Sequence, residues 1–307
     1  MKSIAPIERF EFRAMASPCE IVIGSLTRDA AQAIAGQAIA EVRRIEAKYS
    51  RFTDDSVIAR INAHAAHRPV ELDDETQSLL DYAARIHDLS GGRFDISTGL
   101  FQQAWDFRAA RRAEPGVLEQ LREHVGWSRV RLANGSIQLG SDRMRLDFGG
   151  FGKEYAADRA ADVLRQSGVR SGYVNLGGDL SAVGARPDGE PWSIGIQHPR
   201  TPGALIASIP IADAALATSG DYERFFEQDG RRYCHILSPF TGQPVSAWQS
   251  VSVIAPRAIT AGTTATVAML LEDQALDFLH DTRLAFLAID SRGEVFTHRS
   301  RRDARGS

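Results

Sequence analysis

The sequence predicts an α+β fold with mixed, largely antiparallel sheets that are covered by helices, in two interlocked subdomains. Three observations predict this class. The 307 residues are 43% hydrophobic and 24% charged, which is typical of folded globular proteins. Strand-like segments follow one another through short turns, without the intervening helices that a doubly wound parallel sheet requires. Several long segments also repeat apolar residues at helical spacing.

The part of the chain up to Gly92 contains three predicted helices and one predicted hairpin. Phe10 and Phe12 alternate with charged residues, and a β-like run follows at 20–23, so two strands joined through a turn at 16–18 are expected. Apolar residues recur at 3- and 4-residue steps over 29–49, which predicts a long helix. Two further helices are expected at 56–62 and at 74–89, the second ended by Gly91 and Gly92.

The second half is richer in strands. A helix is expected to begin near Lys153 and to end at Gly168, and another covers 259–271 before a last αββ stretch. No internal repeat and no Pro/Gly/Ser-rich linker divides the chain, so we expect one domain over 1–307 with an ordered core at 8–298. The predicted strands are 130–132, 137–139, 144–147, 172–176, 180–183, 192–196, 204–210, 215–218, 231–237 and 250–255.

Charge and cysteine content exclude several classes of protein. With 36 basic and 39 acidic side chains the net charge is −3, so no nucleic-acid surface is expected, and the basic run 299–305 is expected to be a solvated tail. Cys19 and Cys234 form neither a disulfide framework nor a zinc motif. No apolar run reaches the roughly 18–20 residues of a membrane span. The first residues lack the apolar core of a signal peptide, so we expect a cytoplasmic chain unless a leader has been removed.

The strongest local pattern is a glycine-rich passage from a predicted strand into a predicted helix, LDFGGFGKEY at 146–155. Glycines let the backbone approach a ligand closely, the helix start offers unpaired N–H groups, and Lys153 adds a positive charge. This segment therefore suits a phosphate or pyrophosphate. Its spacing differs from that of GxGxxG, which would need a glycine at Tyr155, and from that of a P-loop, which would need Ser or Thr at Glu154. A glycine-rich turn without a ligand stays open.

Five weaker features could contribute to a site. His235 precedes a Pro-x-Thr-Gly turn and could act as an acid, a base or an orienting group, or be a structural histidine. Four threonines in 260–266 exceed what helix capping needs and could complete a site for a hard cation. The run 174–179 ends in Gly-Gly-Asp, which a tight bend would equally explain. Ser219 could contact phosphate, and Phe94 could line an aromatic cofactor or belong to the core.

Taken together and in order, these segments resemble the FAD:protein FMN transferase family, also called ApbE-like proteins. The resemblance runs over nearly the whole chain, and its specificity lies in the combination because each segment is weak alone. It is carried by residues 15–20, 49–52, 55, 56, 62, 94–99, 146–158, 174–179, 217–224, 235–242 and 255–266.

The resemblance implies an ApbE-like, T-fold-like α+β fold with a flavin between the subdomains. It implies a Mg²⁺-dependent flavinylation of proteins: FAD is split at its pyrophosphate, FMN passes to a Thr or Ser hydroxyl of an acceptor protein as a phosphoester, and AMP leaves. Implied acceptors are redox flavoproteins, either FMN-binding domains or subunits of membrane redox pumps. The acceptor supplies the nucleophile, which agrees with the absence of a GxSxG motif here. Family members are often exported and membrane-anchored, but Cys19 lacks the apolar run that precedes a lipid-attached cysteine.

The resemblance also implies roles for individual residues. The backbone of Gly152 and the hydroxyl of Thr266 would help to hold Mg²⁺, with Thr263 as a further candidate ligand. His235 would lie near the reaction centre, and Lys153 is the second catalytic candidate. The residues expected along the FAD are Met15, Tyr49, Phe94, Asp95, Ile96, Gly150, Lys153, Asp179, Ser219 and Ile236.

Two departures from the family pattern keep alternatives open. Members often have an aspartate as a metal ligand four residues before the threonine matched by Thr266, whereas this chain has Gly262. Thr263 or water could substitute, but a neutral ligand predicts a weaker Mg²⁺ site. The usual Asp-Pro-Arg-Thr-Gly is Ser-Pro-Phe-Thr-Gly at 238–242. The alternatives are a pyrophosphatase that hydrolyses FAD to FMN and AMP, and a non-catalytic flavin-binding protein.

Overall fold

The computed structural model describes residues 6–298, and the basic run at 299–305 lies outside them. The strands and helices alternate irregularly, as expected for an α+β protein. In chain order they are β1 (Ile7–Ala14), β2 (Ser17–Gly24), α1 (Arg28–Tyr49), α2 (Val57–His64), β3 (Val70–Glu71), α3 (Asp74–Leu89), α4 (Pro115–Arg122), β4 (Arg131–Ala133), β5 (Ser136–Gln138), α5 (Gly152–Gln166), β6 (Gly172–Leu176), β7 (Asp179–Val183), β8 (Trp192–Gln197), β9 (Leu205–Ile211), β10 (Ala215–Gly220), β11 (Phe225–Gln228), β12 (Arg231–Cys234), β13 (Trp248–Ala255), α6 (Ala258–Leu271), α7 (Ala275–Thr282), β14 (Ala285–Asp290) and β15 (Val295–His298).

One eight-stranded sheet organises the described residues. Its strand order is β1-β2-β6-β7-β10-β13-β14-β15, and each of these neighbouring strands pairs antiparallel. Smaller sheets are formed by β3-β5-β4, by β8-β9 and by β11-β12. The largely antiparallel α+β class expected from the sequence is therefore confirmed.

Side-chain alternation places the two faces of the large sheet in different cores. Ile21 and Ile23 of β2 belong to the cluster that includes Ala35 and Ala38 of α1, whereas Val22 belongs to the cluster with Trp192 of β8. This follows from the two-residue period of a strand. Helices α1, α5 and α6 thus cover one face of the sheet, and the β8-β9 hairpin covers the other.

A smaller hydrophobic cluster lies apart from these cores. Phe101, in a 3₁₀ helix at Gly99–Gln103, and Trp105 belong to it together with Phe226 of β11 and Tyr233 of β12. The Trp105 Nε1–H donates to the carbonyl of Gly242 at 2.8 Å. This hydrogen bond ties the cluster to the loop that follows His235.

Two predicted strands need correction. The segment 144–147 is not a strand: it makes a single parallel bridge, Arg145 to Thr98, because its backbone lies against the 94–98 loop rather than against a strand. The predicted strand 231–237 ends at Cys234, since the His235 amide donates to the Arg224 carbonyl and the chain leaves the hairpin. Among residues 6–298, no helix combines the length and the apolar character that crossing a bilayer demands.

Candidate active site

Two of the glycine-rich patterns meet in one ion pair. Lys153 lies in the first turn of α5, and Asp179 is the first residue of β7. Their Nζ and Oδ2 atoms are 2.9 Å apart, and the Asp179 side chain is only 5% exposed. Burial lowers the pKa of Lys153, but the carboxylates of Asp179 and Glu154 outweigh it and raise the net pKa, so the lysine is charged. A fixed positive charge therefore stands at the start of α5.

The turn that leads into Asp179 brings the first hairpin to the same place. Gly177 has a φ of +64°, and a Cβ there would lie 2.7 Å from Cβ of Ser17. This position therefore requires glycine on two counts. Met15 lies in the β1–β2 turn next to Ser17, and its amide donates to Oε1 of Glu46 at 2.5 Å. Through Ser17, the β1–β2 turn that carries Met15 thus packs against the turn that precedes Asp179.

The threonine-rich segment joins the site through Thr266. Its Oγ1 lies 2.6 Å from Oγ of Ser219, so α6 and the end of β10 bring these two predicted residues together. Thr263 is differently placed: it is buried, donates to the Ile259 carbonyl at 2.7 Å and contacts the Tyr82 hydroxyl at 2.7 Å. Its hydroxyl is thus already engaged between α6 and α3.

Glu154 is a site residue that the sequence reasoning missed. Its side chain projects from α5 onto α6, where an ideal Cβ built on Gly262 would lie 2.3 Å from its Oε1. The residue is 7% exposed, and its Oε2 is buried without a hydrogen-bond partner in the described part of the chain. Burial first, and the Asp179 carboxylate second, raise the pKa of Glu154 to about 8. The signal in the sequence was a carboxylate beside Lys153, with a glycine at Gly262.

His235 stays neutral in this environment. Burial, and the positive charges of Arg224 and Lys153, lower the pKa of His235 to about 3. Its Nδ1 is buried and lacks a hydrogen-bond partner within residues 6–298. The neutral ring can therefore accept or donate one hydrogen bond at this position.

Arg224 adds positive charge close to His235, and Arg51 lies near Arg224. Partial burial and the charge of Arg51 lower the pKa of Arg224. Arg51 donates from Nη1 to Asp147 at 2.9 Å, and Asp147 accepts from the Gly149 amide at 2.9 Å. The glycine-rich loop is thus fastened to an arginine that the sequence analysis quoted but did not assign to the site.

The candidate flavin-binding residues divide into two groups. Phe94 lies beside the glycine-rich loop, with its ring 3.2 Å from the position of a Cβ on Gly150, and the Ile96 carbonyl accepts from Asp147 N at 2.8 Å. Tyr49 is buried, its ring 5.3 Å from that of Phe148. The remaining two are engaged locally: Asp95 accepts from Ser97 N, Ser97 Oγ and Trp127 N at 2.6–2.8 Å, and the Ile236 carbonyl accepts from Val245 N at 3.0 Å.

Oxygen donors at the site suit a hard cation with few protein ligands. Within residues 6–298, no group of three or more His, Cys, Asp or Glu side chains could hold a metal ion. Mg²⁺ is commonly bound through one or two carboxylates while it keeps several waters. The unpartnered carboxylate oxygen of Glu154, the hydroxyl of Thr266 and the backbone of Gly152 are donors of this kind. The residues present therefore fit Mg²⁺.

Known proteins resemble this chain in sequence and in fold. A sequence model described as the ApbE family matches residues 15–288. A protein from Treponema pallidum named FAD:protein FMN transferase is 33% identical over 285 residues, covering 83% of this chain and 78% of the relative. The crystal structure of the ApbE protein from Thermotoga maritima superposes with a TM-score of 0.87 at 30% identity, over 97% of this chain and 98% of that one. The apo flavinyl transferase ApbE of Pseudomonas stutzeri gives a TM-score of 0.86 at 26% identity, over 99% and 98%.

Proposed function

Because the chain belongs to the ApbE family and transfers FMN from FAD to an acceptor protein, we propose that the residues gathered at the start of α5 bind the pyrophosphate of FAD. The observation that carries the proposal is the convergence of four separate sequence segments. Lys153 and Asp179 join two of them, and Ser219 and Thr266 join the other two. The four are linked because β7, which begins at Asp179, pairs antiparallel with β10, the strand that contains Ser219.

Anion recognition is assigned to the helix start and three basic residues. The first N–H groups of an α-helix and its dipole attract a phosphate group. Lys153 stands in the first turn of α5, Arg224 lies beside His235, and Arg51 lies near Arg224 and donates to Asp147 of the glycine-rich segment. The pyrophosphate of FAD is the group that best matches this positive surface.

The proposed transfer is a substitution at phosphorus. The oxygen of an acceptor Thr or Ser hydroxyl forms a phosphoester bond to the FMN phosphorus, and the bond from that phosphorus to the bridging oxygen breaks. AMP leaves with that oxygen, and the hydroxyl proton is released to water. Neutral His235 offers an acceptor at its unpartnered Nδ1, so it orients the attacking hydroxyl. Its lowered basicity is a poor match for full proton abstraction, so orientation is the role that its environment favours.

Mg²⁺ is proposed as the cation of this reaction. When bound, it would neutralise charge on the phosphoryl oxygens. The backbone of Gly152 and the hydroxyl of Thr266 are the proposed ligands from the sequence analysis. Thr263 could join them only by giving up its hydrogen bonds to Ile259 and Tyr82.

The acceptor is proposed to be a redox flavoprotein, either an FMN-binding domain or a subunit of a membrane redox pump. A cytoplasmic location and a single domain over 1–307 stay predictions. The non-catalytic alternative was motivated by the missing carboxylate at Gly262. Because Glu154 places a carboxylate next to Gly262, the missing carboxylate no longer argues for a non-catalytic protein.

The direct test combines the purified protein, FAD, Mg²⁺ and an FMN-binding domain that presents a threonine. We expect AMP release together with yellow, fluorescent acceptor that keeps its flavin on a denaturing gel. Controls are chelation of divalent cations and an acceptor in which the threonine is replaced by valine. Absence of labelled acceptor with every divalent cation would refute the proposal, and AMP release without an acceptor would favour the pyrophosphatase.

A further inference from the structure

We propose that Glu154 is the carboxylate ligand of the divalent cation, and that it reaches the site from α5 because Gly262 leaves the facing surface of α6 open. The inference rests on the proposed function, since the cation is the one used in FMN transfer. It assigns to this chain a ligand that neither the sequence motifs nor the comparisons name.

The contact between Glu154 and Gly262 is the first step. A Cβ at Gly262 would lie 2.3 Å from Oε1, 2.6 Å from Cγ and 2.8 Å from Cδ of Glu154. Such distances are well below ordinary van der Waals contact, so a residue with any side chain at 262 would displace this carboxylate. The observed position of the Glu154 carboxylate therefore requires glycine at position 262.

The position of the carboxylate along α6 is the second step. Gly262 and Thr266 are four residues apart on one helix, and residues at this spacing lie one above the other on the same face. The carboxylate beside Gly262 is thus about one helical turn from the Thr266 hydroxyl. In the chain, Glu154 is also two residues from Gly152. The proposal therefore places all three ligands between the start of α5 and the facing surface of α6.

The unpartnered oxygen of Glu154 is the third step. Lys153 forms its ion pair with Asp179, at 2.9 Å, so within residues 6–298 the buried Glu154 has no basic partner of its own. Asp158, one turn further along α5, is also buried against α6. It is satisfied, because it accepts from the Ala258 and Ile259 amides at 2.8 and 3.0 Å. A buried carboxylate with an unpartnered oxygen is unfavourable unless a cation or a donor completes it.

The test measures cation binding directly. Mn²⁺ is titrated into the full-length protein with and without FAD, free Mn²⁺ is followed by electron paramagnetic resonance, and Mg²⁺ is used to displace it. We expect one Mn²⁺ per chain in the wild type, and a loss of affinity of about tenfold or more for Glu154→Gln. The shorter Glu154→Asp should fall between the two. Asp158→Asn is the matched control, a buried α5 carboxylate facing α6, and should keep the wild-type Mn²⁺ affinity.

A relocated carboxylate gives the sharpest result. The double variant Glu154→Gly with Gly262→Asp moves the acid from α5 to α6 and should recover most of the affinity that Glu154→Gly alone loses. Circular dichroism and thermal melting confirm that each variant is folded. Wild-type affinity in folded Glu154→Gln, equal losses in Glu154→Gln and Asp158→Asn, or absence of Mn²⁺ binding to the wild type would each overturn the inference.

Failure of this inference and failure of the proposed function give different results. If the wild type labels its acceptor and Glu154→Gln does so at the same Mg²⁺ requirement, the inference is wrong and the function stands. If Mn²⁺ binding depends on Glu154 but no acceptor is labelled under any divalent cation, the ligand assignment stands and the function is wrong.

Discussion

The Glu154 side chain of α5 occupies the space into which any side chain at Gly262 of α6 would project. Its Oε1 lies 2.3 Å from the ideal Cβ position of the glycine. Neither residue belongs to a recognised phosphate motif. Their contact determines how closely the two helices approach and which helix presents a carboxylate to the site.

Gly262→Ala is expected to lower the free energy of unfolding by about 1 kcal/mol. Overpacking costs roughly 1–3 kcal/mol, and alanine in a helix interior returns about 1 kcal/mol relative to glycine. In a Glu154→Ala background the collision is gone, so the same substitution should be neutral or stabilising. Urea unfolding of the four proteins measures the coupling, and equal effects of Gly262→Ala in both backgrounds would contradict the contact.

Lys153→Ala is expected to weaken FAD binding by about ten- to a hundredfold, since a hydrogen bond to a charged group is worth roughly 1.5–3 kcal/mol. Titration of FAD by fluorescence quenching gives the dissociation constant. Arg28→Ala, which removes an exposed ion pair with Glu8, is the control and should bind FAD as the wild type does. An unchanged dissociation constant in Lys153→Ala would remove Lys153 from the site.

Thr266→Val is expected to raise the Mg²⁺ concentration needed for half-maximal AMP release by about tenfold, because it removes a hydroxyl ligand at nearly constant volume. Thr266→Ser keeps the hydroxyl and should stay near the wild type. Thr263→Val should instead lower stability, as its contacts to Tyr82 and Ile259 are lost. If Thr263→Val alone changed the Mg²⁺ requirement, the two threonines would have to exchange roles.

His235 is expected to make the protein less stable in acid. Its folded pKa of about 3 lies below the ordinary value of 6.5, so the unfolded chain binds the extra proton between these values. Stability contributed by neutral His235 is therefore present above pH 6.5 and is lost as the pH falls towards 3. Urea unfolding of the wild type and His235→Gln between pH 4 and 7 should show a shallower decline in the variant. Parallel declines would show that the histidine titrates normally.

Local patterns in the sequence were sufficient to predict the positions of most helices and strands. The helix over 74–89 forms as predicted, and the helix expected over 29–49 begins one residue earlier, at Arg28. Both have apolar residues at helical spacing over at least four turns. The predicted strand at 144–147 was wrong because a β-like composition does not ensure that another strand lies alongside to pair with it.

The candidate site was predictable where the chain itself brings residues together. Lys153 follows the glycine-rich loop directly, so its type and position pointed to an anion site, whereas Asp179 was assigned to the site only through the family resemblance. Glu154 was not predicted as a site residue because Gly262, which it contacts, is 108 residues away along the chain. A contact of that kind leaves no periodic or spaced signal in a single sequence.

The order of amino acids by itself determined the α+β class, most element positions and the glycine-rich start of α5, since these depend on local backbone preferences and on which face of an element is apolar. Only the tertiary structure decided that Ser219 meets Thr266, that Thr263 is committed to Tyr82, and that Glu154 fills the space at Gly262. The reason is physical: these relationships depend on how close α5, α6 and the sheet pack, and packing distance is a property of the whole core.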